Sequence, residues 1–202
     1  TTGTSNVAVG HRALRENLQN NNVAVGYDAL RQNTNGSGNV AVGAYAADAV
    51  TTGARITAIG YESITTTNGN DNTGVGYHSL RLCNAGIDNT AVGSSALAVL
   101  SSATNNTAVG KTAAYSTTTG HGNTSVGKDA FFSNTTGNNN VAIGLDALQA
   151  NTTANNNVAV GLHALENNTT GQQNTSVGCQ TLKNSIDGEY NSGFGAFALI
   201  FN

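Results

Sequence analysis

The sequence predicts an all-β fold, a parallel β-solenoid of twelve short coils, and two regularities predict it. A glycine recurs every 16 or 17 residues through the whole chain of 202 residues, with no larger gap. The three residues before it also follow a repeated pattern, in which a small residue stands between two larger ones, as in Val23-Ala24-Val25 before Gly26. One architecture therefore accounts for the whole chain, and we number its coils 1 to 12. The repeated glycines are Gly10, Gly26, Gly43, Gly60, Gly76, Gly93, Gly110, Gly127, Gly144, Gly161, Gly178 and Gly195.

The three residues before each glycine are predicted to form a strand. The first is Val, Thr or Ser and the third is Val, Ile or Phe, so mostly β-branched strand formers recur with period two and share one face. The second is always Ala, Gly or Ser and lies on the opposite face. We expect the larger residues to fill the interior and the small residues to face a neighbouring chain. The alternative, in which the small residues face inward at a cramped corner, remains open.

The rest of each coil is predicted to return the chain. A second apolar column, mostly Leu, stands four residues after the glycine, and turn-forming phrases follow, as in Asn134-Thr135-Thr136-Gly137. A period of 16 or 17 residues leaves room for a second short extended segment or one helical turn, but not for a full helix. Twelve coils stacked at the strand spacing of about 4.8 Å predict a rod roughly 55 Å long. A single coil would not be stable alone, because its core forms only when adjacent coils stack.

An asparagine stands four residues before the glycine in every coil except coil 4, which has Ile56. Stacked amides one strand spacing apart can hydrogen-bond to each other and to the turn backbone. We therefore expect a structural ladder; a row of ligand-binding amides is the alternative. Its members are Asn6, Asn22, Asn39, Asn72, Asn89, Asn106, Asn123, Asn140, Asn157, Asn174 and Asn191.

Composition argues against several classes of function. Only 9% of residues are charged and the net charge is −3, which gives no electrostatic basis for binding nucleic acid. No apolar run is long enough for a membrane span. The four histidines are scattered, and no nucleophile and base pair, phosphate loop or calcium repeat is present. We therefore expect no enzyme, no cofactor, no metal, no nucleic acid partner and no membrane insertion in this chain.

The two cysteines, Cys83 and Cys179, stand six coils apart. At the strand spacing this is roughly 29 Å, far beyond the reach of a disulfide. A buried free thiol is the expected state of Cys83, with contact between copies of Cys83 as an alternative.

The phrase Asn-Val-Ala-Val-Gly followed by Ala-Leu, as in residues 22–30, resembles the YadA-like head repeats of trimeric autotransporter adhesins. It is also similar to the related repeats of phage and algal-virus tail or surface fibre proteins. The resemblance covers all twelve coils. It implies a left-handed β-roll, a homotrimer, an extracellular position on a virion or cell surface, and a role in attachment to a host. The bacterial heads have a shorter coil and carry Ser between Asn and Val, so the resemblance implies the fold rather than a particular ligand.

One surface feature of the first half suggests a ligand. Tyrosines stand at or next to the residue after the glycine in four coils, and three arginines share a column five residues after it. Exposed aromatic rings among polar groups can stack on sugars, so we expect a glycan-binding stripe; a bland cover of the coil edge is the alternative. The stripe comprises Tyr27, Tyr45, Tyr61, Tyr77, Arg15, Arg31 and Arg81.

The chain is interpreted as a single repeat domain over 1–202, cut from a longer fibre or adhesin, with 191–202 as a C-terminal cap or stalk junction. The predicted function is attachment of a cell-surface or virion fibre to a host-surface glycan or matrix polymer. A purely structural spacer is the second hypothesis. Ice binding is the third, because Thr recurs in the strands of coils 4 to 8, at Thr57, Thr73, Thr90, Thr107 and Thr124.

Overall fold

Each coil contributes one three-residue strand, and the twelve strands form one parallel sheet in sequence order. The computed structural model describes residues 3–200. Equivalent residues pair in register, so that Ala24 lies opposite Ala8 and Ala41. The predicted all-β parallel solenoid is thereby confirmed. The strands are β1 Val7–Val9, β2 Val23–Val25, β3 Val40–Val42, β4 Thr57–Ile59, β5 Thr73–Val75, β6 Thr90–Val92, β7 Thr107–Val109, β8 Thr124–Val126, β9 Val141–Ile143, β10 Val158–Val160, β11 Thr175–Val177 and β12 Ser192–Phe194.

Turns and bends complete each coil, and residues 3–200 contain no helix. The return path has a left-handed backbone at the second and fourth residues after each glycine, including Leu30 with φ 49° and Ile64 with φ 47°. This conformation is unfavourable for side chains with a Cβ, above all β-branched ones. Stacking holds it in place: the amide of Leu30 donates to the carbonyl of Ala46 in the next coil, at 2.9 Å.

The repeated glycine is required by close backbone approach. Gly93 has φ 134°, and a Cβ built on it would lie 2.4 Å from the carbonyl oxygen of Gly110 in the next coil. Any side chain here would push adjacent coils apart, which explains why the chain places glycine at this point in every coil.

The prediction that the larger strand residues fill the interior is wrong. The alternative is correct: the small central residue of each strand faces inward. Ala24, Ala91 and the other central strand residues of coils 2 to 11 are buried, whereas Val92 and Val109, the third residues of β6 and β7, are 37% and 38% exposed. The interior is too thin for a larger residue: a Cβ added to Gly74 would lie 2.7 Å from Cγ1 of Ile64 across the coil. The core therefore combines the small strand column, the Leu column and the small residues three after the glycine, such as Ala29 and Ala96, and the Val, Ile and Thr side chains of the strands face outward.

The outward face of the sheet carries no charged side chain in any of the twelve strands. We call it the sheet face; it comprises the first and third residues of strands β1 to β12. It continues without interruption along the rod and is mostly apolar, which is unusual for a surface left in water.

The asparagine column forms a hydrogen-bonded ladder with two functions. Nδ2 of Asn106 donates to the carbonyl of Gly120, 14 residues later, at 2.9 Å, and so closes its own coil. Oδ1 of Asn106 accepts from the amide of Asn123 at 2.9 Å and so joins the next coil. The same pair of bonds recurs in coils 2, 3, 5 and 6 and in coils 8 to 11. Ile56, buried in the place of an asparagine, interrupts the ladder after Asn39.

A second buried column, seven residues after the glycine, was not predicted. Asn33 of this column accepts from the amide of Gly36 at 3.0 Å and donates to its carbonyl at 2.7 Å, which fixes the turn. Cys83 occupies the column in coil 5 as a buried free thiol, and burial raises its pKa to about 11. Cys179 is free and half-buried, as expected for two cysteines that cannot meet.

The expected cap, 191–202, is described as far as Ile200, and residues 201 and 202 lie outside the described residues. Phe194 and Phe197 of coil 12 are 68% and 57% exposed. Coil 12 therefore presents two Phe rings at the end of the stack, where the equivalent positions of most other coils hold Val, Ile or polar residues.

The inward position of the central strand residue can be tested by a pair of substitutions in β6. Ala91→Leu should lower the free energy of unfolding by roughly 1–3 kcal/mol, because the thin interior has no room for it. Val92→Thr, on the sheet face, should lower it by less than Ala91→Leu does, because this face already carries Thr at the first position of β4 to β8. Urea unfolding followed by circular dichroism measures both. A larger loss for Val92→Thr than for Ala91→Leu would contradict the orientation.

Candidate functional site

A row of aromatic rings follows one edge of the rod through coils 1 to 5. The residues directly after the glycine lie at the corner where each strand ends, and their side chains project outward because the glycine backbone turns the chain there. Tyr27, Tyr61 and Tyr77 are 42%, 44% and 52% exposed. We call this feature the aromatic row; it comprises His11, Tyr27, Tyr45, Tyr61, Tyr77 and His78.

Consecutive rings of the aromatic row contact one another at nearly constant spacing. The centroids are 5.2 Å apart from His11 to Tyr27, 5.3 Å from Tyr27 to Tyr45, 5.9 Å from Tyr45 to Tyr61 and 5.7 Å from Tyr61 to Tyr77. The ring planes are nearly parallel at the two ends of the row, at 14° between His11 and Tyr27 and 11° between Tyr61 and Tyr77. Tyr45 lies edge-on to both neighbours, at 67° to Tyr27 and 83° to Tyr61. Parallel rings with centroids this far apart are slipped rather than directly superposed, so part of each ring face stays uncovered.

Fixed charges flank the first part of the aromatic row. Arg12 donates from Nε and Nη2 to the two carboxylate oxygens of Asp28, both at 2.6 Å, and Nη2 also donates to the Tyr27 hydroxyl at 2.9 Å. The same guanidinium lies 5.4 Å from the centroid of the Tyr27 ring, at cation–π distance. Arg31 lies 4.0 Å from both Asp28 and Asp48. The hydrogen bonds of Arg12 hold its guanidinium and the Tyr27 ring in one orientation, whereas Arg31 is only at ion-pair distance from its carboxylates.

A second group of charges surrounds Glu62. Its carboxylate lies 3.1 Å from Nε2 of His78 and 3.0 Å from Nε of Arg81. A hydrogen bond to the same carboxylate raises the pKa of Tyr61. The ring of His78 stacks on Tyr77 with centroids 3.7 Å apart, so this ion pair and the end of the aromatic row support each other.

A shallow groove of about 280 Å³ runs beside the middle of the aromatic row. Burial raises the pKa of Asp48 on its wall, against the opposing effect of Arg31. The groove combines carboxylate, hydroxyl and guanidinium groups with one aromatic wall, which suits a hydroxyl-rich ligand. Its lining consists of Tyr45, Asp48, Ala49, Glu62, Thr65, Thr66 and Arg81.

The structure brings the four predicted tyrosines into one row, and Arg31 and Arg81 lie beside it among the carboxylates. Arg15 does not share this arrangement: it is exposed and lines a cavity of about 500 Å³ at the open end of coil 1. Sequence reasoning missed Arg12, Asp28, Asp48, Glu62 and the two histidines of the row. The signal for several of them was present, because Arg12, Asp28, Tyr45, Glu62 and His78 all stand two residues after a glycine.

The second half of the same edge is built differently. Lys128 and Asp129 form an ion pair at 2.7 Å, and Glu166 lies 2.9 Å from His163 and 3.0 Å from Lys183. From coil 6 to coil 11 the two positions after the glycine hold no Tyr, Phe or Trp. The aromatic row is thus confined to coils 1 to 5.

Other candidate groups can be placed as well. The ladder asparagines of coils 2, 3 and 5 to 11 are buried and hydrogen-bonded, so their amides do not form a surface row for a ligand. Within residues 3–200, no group of three or more His, Cys, Asp or Glu side chains is arranged to hold a metal ion. No helix in this range has the length and hydropathy that crossing a membrane requires.

Comparison with known proteins identifies no similar protein. No protein family model, no curated protein and no solved structure matches the chain. The geometry of the aromatic row is therefore the basis for a functional hypothesis.

Proposed function

We propose that this protein is an attachment module of a cell-surface or virion fibre that binds host carbohydrate through the aromatic row. In this proposal the chain winds as a left-handed β-roll and assembles as an extracellular homotrimer, as its resemblance to adhesin and fibre repeats implies. The observation that carries the binding role is the continuous row of half-exposed rings through five successive coils.

The aromatic rings are not needed to build the corner on which they stand. Gly76, before Tyr77, and Gly93, before Ser94, share the same φ of 134°. Coils 7 and 8 carry Lys111 and Lys128 at the equivalent position. Since the corner keeps its shape without an aromatic residue, the rings of coils 1 to 5 are better explained by what they contact outside the chain. Exposed aromatic rings flanked by fixed polar groups are suited to sugars, whose rings have both apolar faces and hydroxyls.

The sheet face supports the homotrimer. It is uncharged along the whole rod, and its Val and Ile side chains remain partly exposed in a single chain, as for Val109 and Ile143, each at 38%. A continuous uncharged strip with partly exposed Val and Ile side chains is typical of a protein–protein contact surface. Three copies in contact along this face would bury it and would present three aromatic rows, so that weak single contacts gain avidity.

Two other functions have a specific observation in their favour. The regularity of the coils suits a purely structural spacer, with recognition carried elsewhere in the fibre. The outward Thr column of coils 4 to 8, beside Val and Ile in the same strands, is a flat array of a kind that orders water at ice. A trimer that buries the sheet face would exclude ice binding.

Carbohydrate binding is tested with the purified chain on a glycan array and on whole host cells. We expect a defined set of bound glycans, because the aromatic row and its fixed charges form a specific surface. No binding on the array or to the cells would favour the purely structural spacer. Thermal hysteresis in the same sample, with no bound glycan, would support ice binding instead.

The homotrimer is tested by light scattering during gel filtration. The expected mass is three times the 20.4 kDa of one chain. Val109→Lys should yield a monomer with unchanged circular dichroism, because a lysine on the sheet face cannot be buried without a partner charge. Thr136→Lys, at an exposed turn, is the matched control and should stay trimeric. A monomeric mass for the unmodified chain would overturn the assembly.

A further inference from the structure

We propose that the aromatic row binds a linear, uncharged, extended polysaccharide that lies parallel to the rod axis, with one sugar ring on each of coils 1 to 5. This rests on the proposed carbohydrate-binding function and specifies its ligand. The class is that of equatorially linked hexose chains, of which β-1,4-linked glucans and mannans are examples.

The spacing of the aromatic rings defines the shape of the ligand. Ring centroids follow one another at 5.2 to 5.9 Å from coil to coil. A flat chain of equatorially linked hexoses advances by a similar distance with each sugar, so its rings can remain in step with the row. A helical α-linked chain curls away from a straight row after one or two contacts. Evenly spaced rings, edge-on at Tyr45, therefore favour an extended chain over a coiled or branched one.

The charges beside the row define the ligand as neutral. Asp28 is neutralised by Arg12 at 2.6 Å, and Glu62 has both Arg81 and His78 within 3.1 Å. Because these cations already have carboxylate partners, an acidic sugar would find no free positive charge beside these rings. The paired groups still offer donors and acceptors in fixed positions, which suits the hydroxyls of an uncharged sugar.

The small volume of the groove beside the row indicates that the protein does not enclose a single sugar. The groove volume of about 280 Å³ is below the usual range of about 300–1,000 Å³ for a pocket that holds a whole small ligand. Thr65, Thr66 and Tyr45 on its wall can receive the hydroxyl groups at one side of a chain that lies along the rod. Contact is thus distributed over several sugars, and affinity should depend on their number.

The test is calorimetric titration of the full chain with cello- and manno-oligosaccharides of two to six units. Affinity should rise with each unit and level off at five. Tyr61→Ala, in the middle of the row, should weaken binding of the five-unit sugar about tenfold, since it removes one stacked ring and interrupts the others. Tyr77→Ala, at the end of the row, should move the plateau from five units to four.

The matched control is Tyr115→Ala, because Tyr115 stacks on Phe132 at 5.4 Å but lies outside the aromatic row. Its binding should equal that of the unmodified chain, and circular dichroism should show that all three variants are folded. The inference is overturned by affinity independent of length, by equal binding of α-linked or acidic oligosaccharides, or by an unaffected Tyr61→Ala variant. Each of these results, obtained with a chain that still binds glycans on the array, overturns the ligand class and leaves the attachment function standing. If the chain binds no glycan at all, both the ligand class and the carbohydrate-binding function are overturned.

Discussion

The fold depends on one side-chain amide that acts twice in coils 2, 3 and 5 to 11. The ladder asparagine donates to a carbonyl 14 residues later and accepts the amide of its counterpart in the next coil, as Asn123 does with Gly137 and Asn140. A coil of 16 or 17 residues has almost no interior of its own, so it needs a polar clamp to close it as well as a neighbour to stack on. Because one residue performs both tasks, closure and stacking are coupled, and a coil is expected to form only on an adjacent formed coil.

The thin interior follows from this closure and explains the rest of the cross-section. Opposite walls are so close that the strand contributes only Ala, Gly or Ser inward, and Leu from the return path fills the remaining space. To place Leu there, the backbone adopts the left-handed region, which costs roughly 1–2 kcal/mol per residue. Burial of a Leu side chain gives back about 1.5–3 kcal/mol, and stacked hydrogen bonds hold the strained residue. The larger strand residues are then directed outward, which produces the uncharged sheet face available to other copies of the chain.

Much of this fold could be predicted from the sequence, since the columns specify the strands, their parallel order and their register. Which face of the strand points inward could not be predicted. A period of two separates the faces of a strand, but Val against Ala does not reveal which is inside when neither face is charged. The answer depends on contact between Gly74 and Ile64, residues ten apart whose distance is set by closure of the coil. The aromatic row was partly predictable because the tyrosines align at the repeat period. Arg12 and Asp28 were missed because their contact appears only when adjacent coils are superposed.

The two sets of positions divide the protein into a constant frame and a variable surface. Gly, Asn, the small strand residue and Leu make each coil resemble the next. The residue directly after the glycine instead changes along the rod, from Tyr in coils 2, 4 and 5 to Lys in coils 7 and 8 and Leu in coils 9 and 10. Functional change can therefore occur at the corner without cost to the frame, as the shared conformation after Gly76 and Gly93 illustrates.

The central claim, that the ladder amides hold the coils together, is tested most directly by the free energy of unfolding of Asn106→Ala compared with Asn167→Ala. Removal of the Asn106 amide leaves the Gly120 carbonyl and the Asn123 amide without their partners, so the account predicts a loss of about 2–5 kcal/mol. Asn167 is exposed and its side-chain amide donates to the side chain of Asn184, so the removal of this side chain should cost less than about 1 kcal/mol. Equal losses for the two variants would contradict the claim.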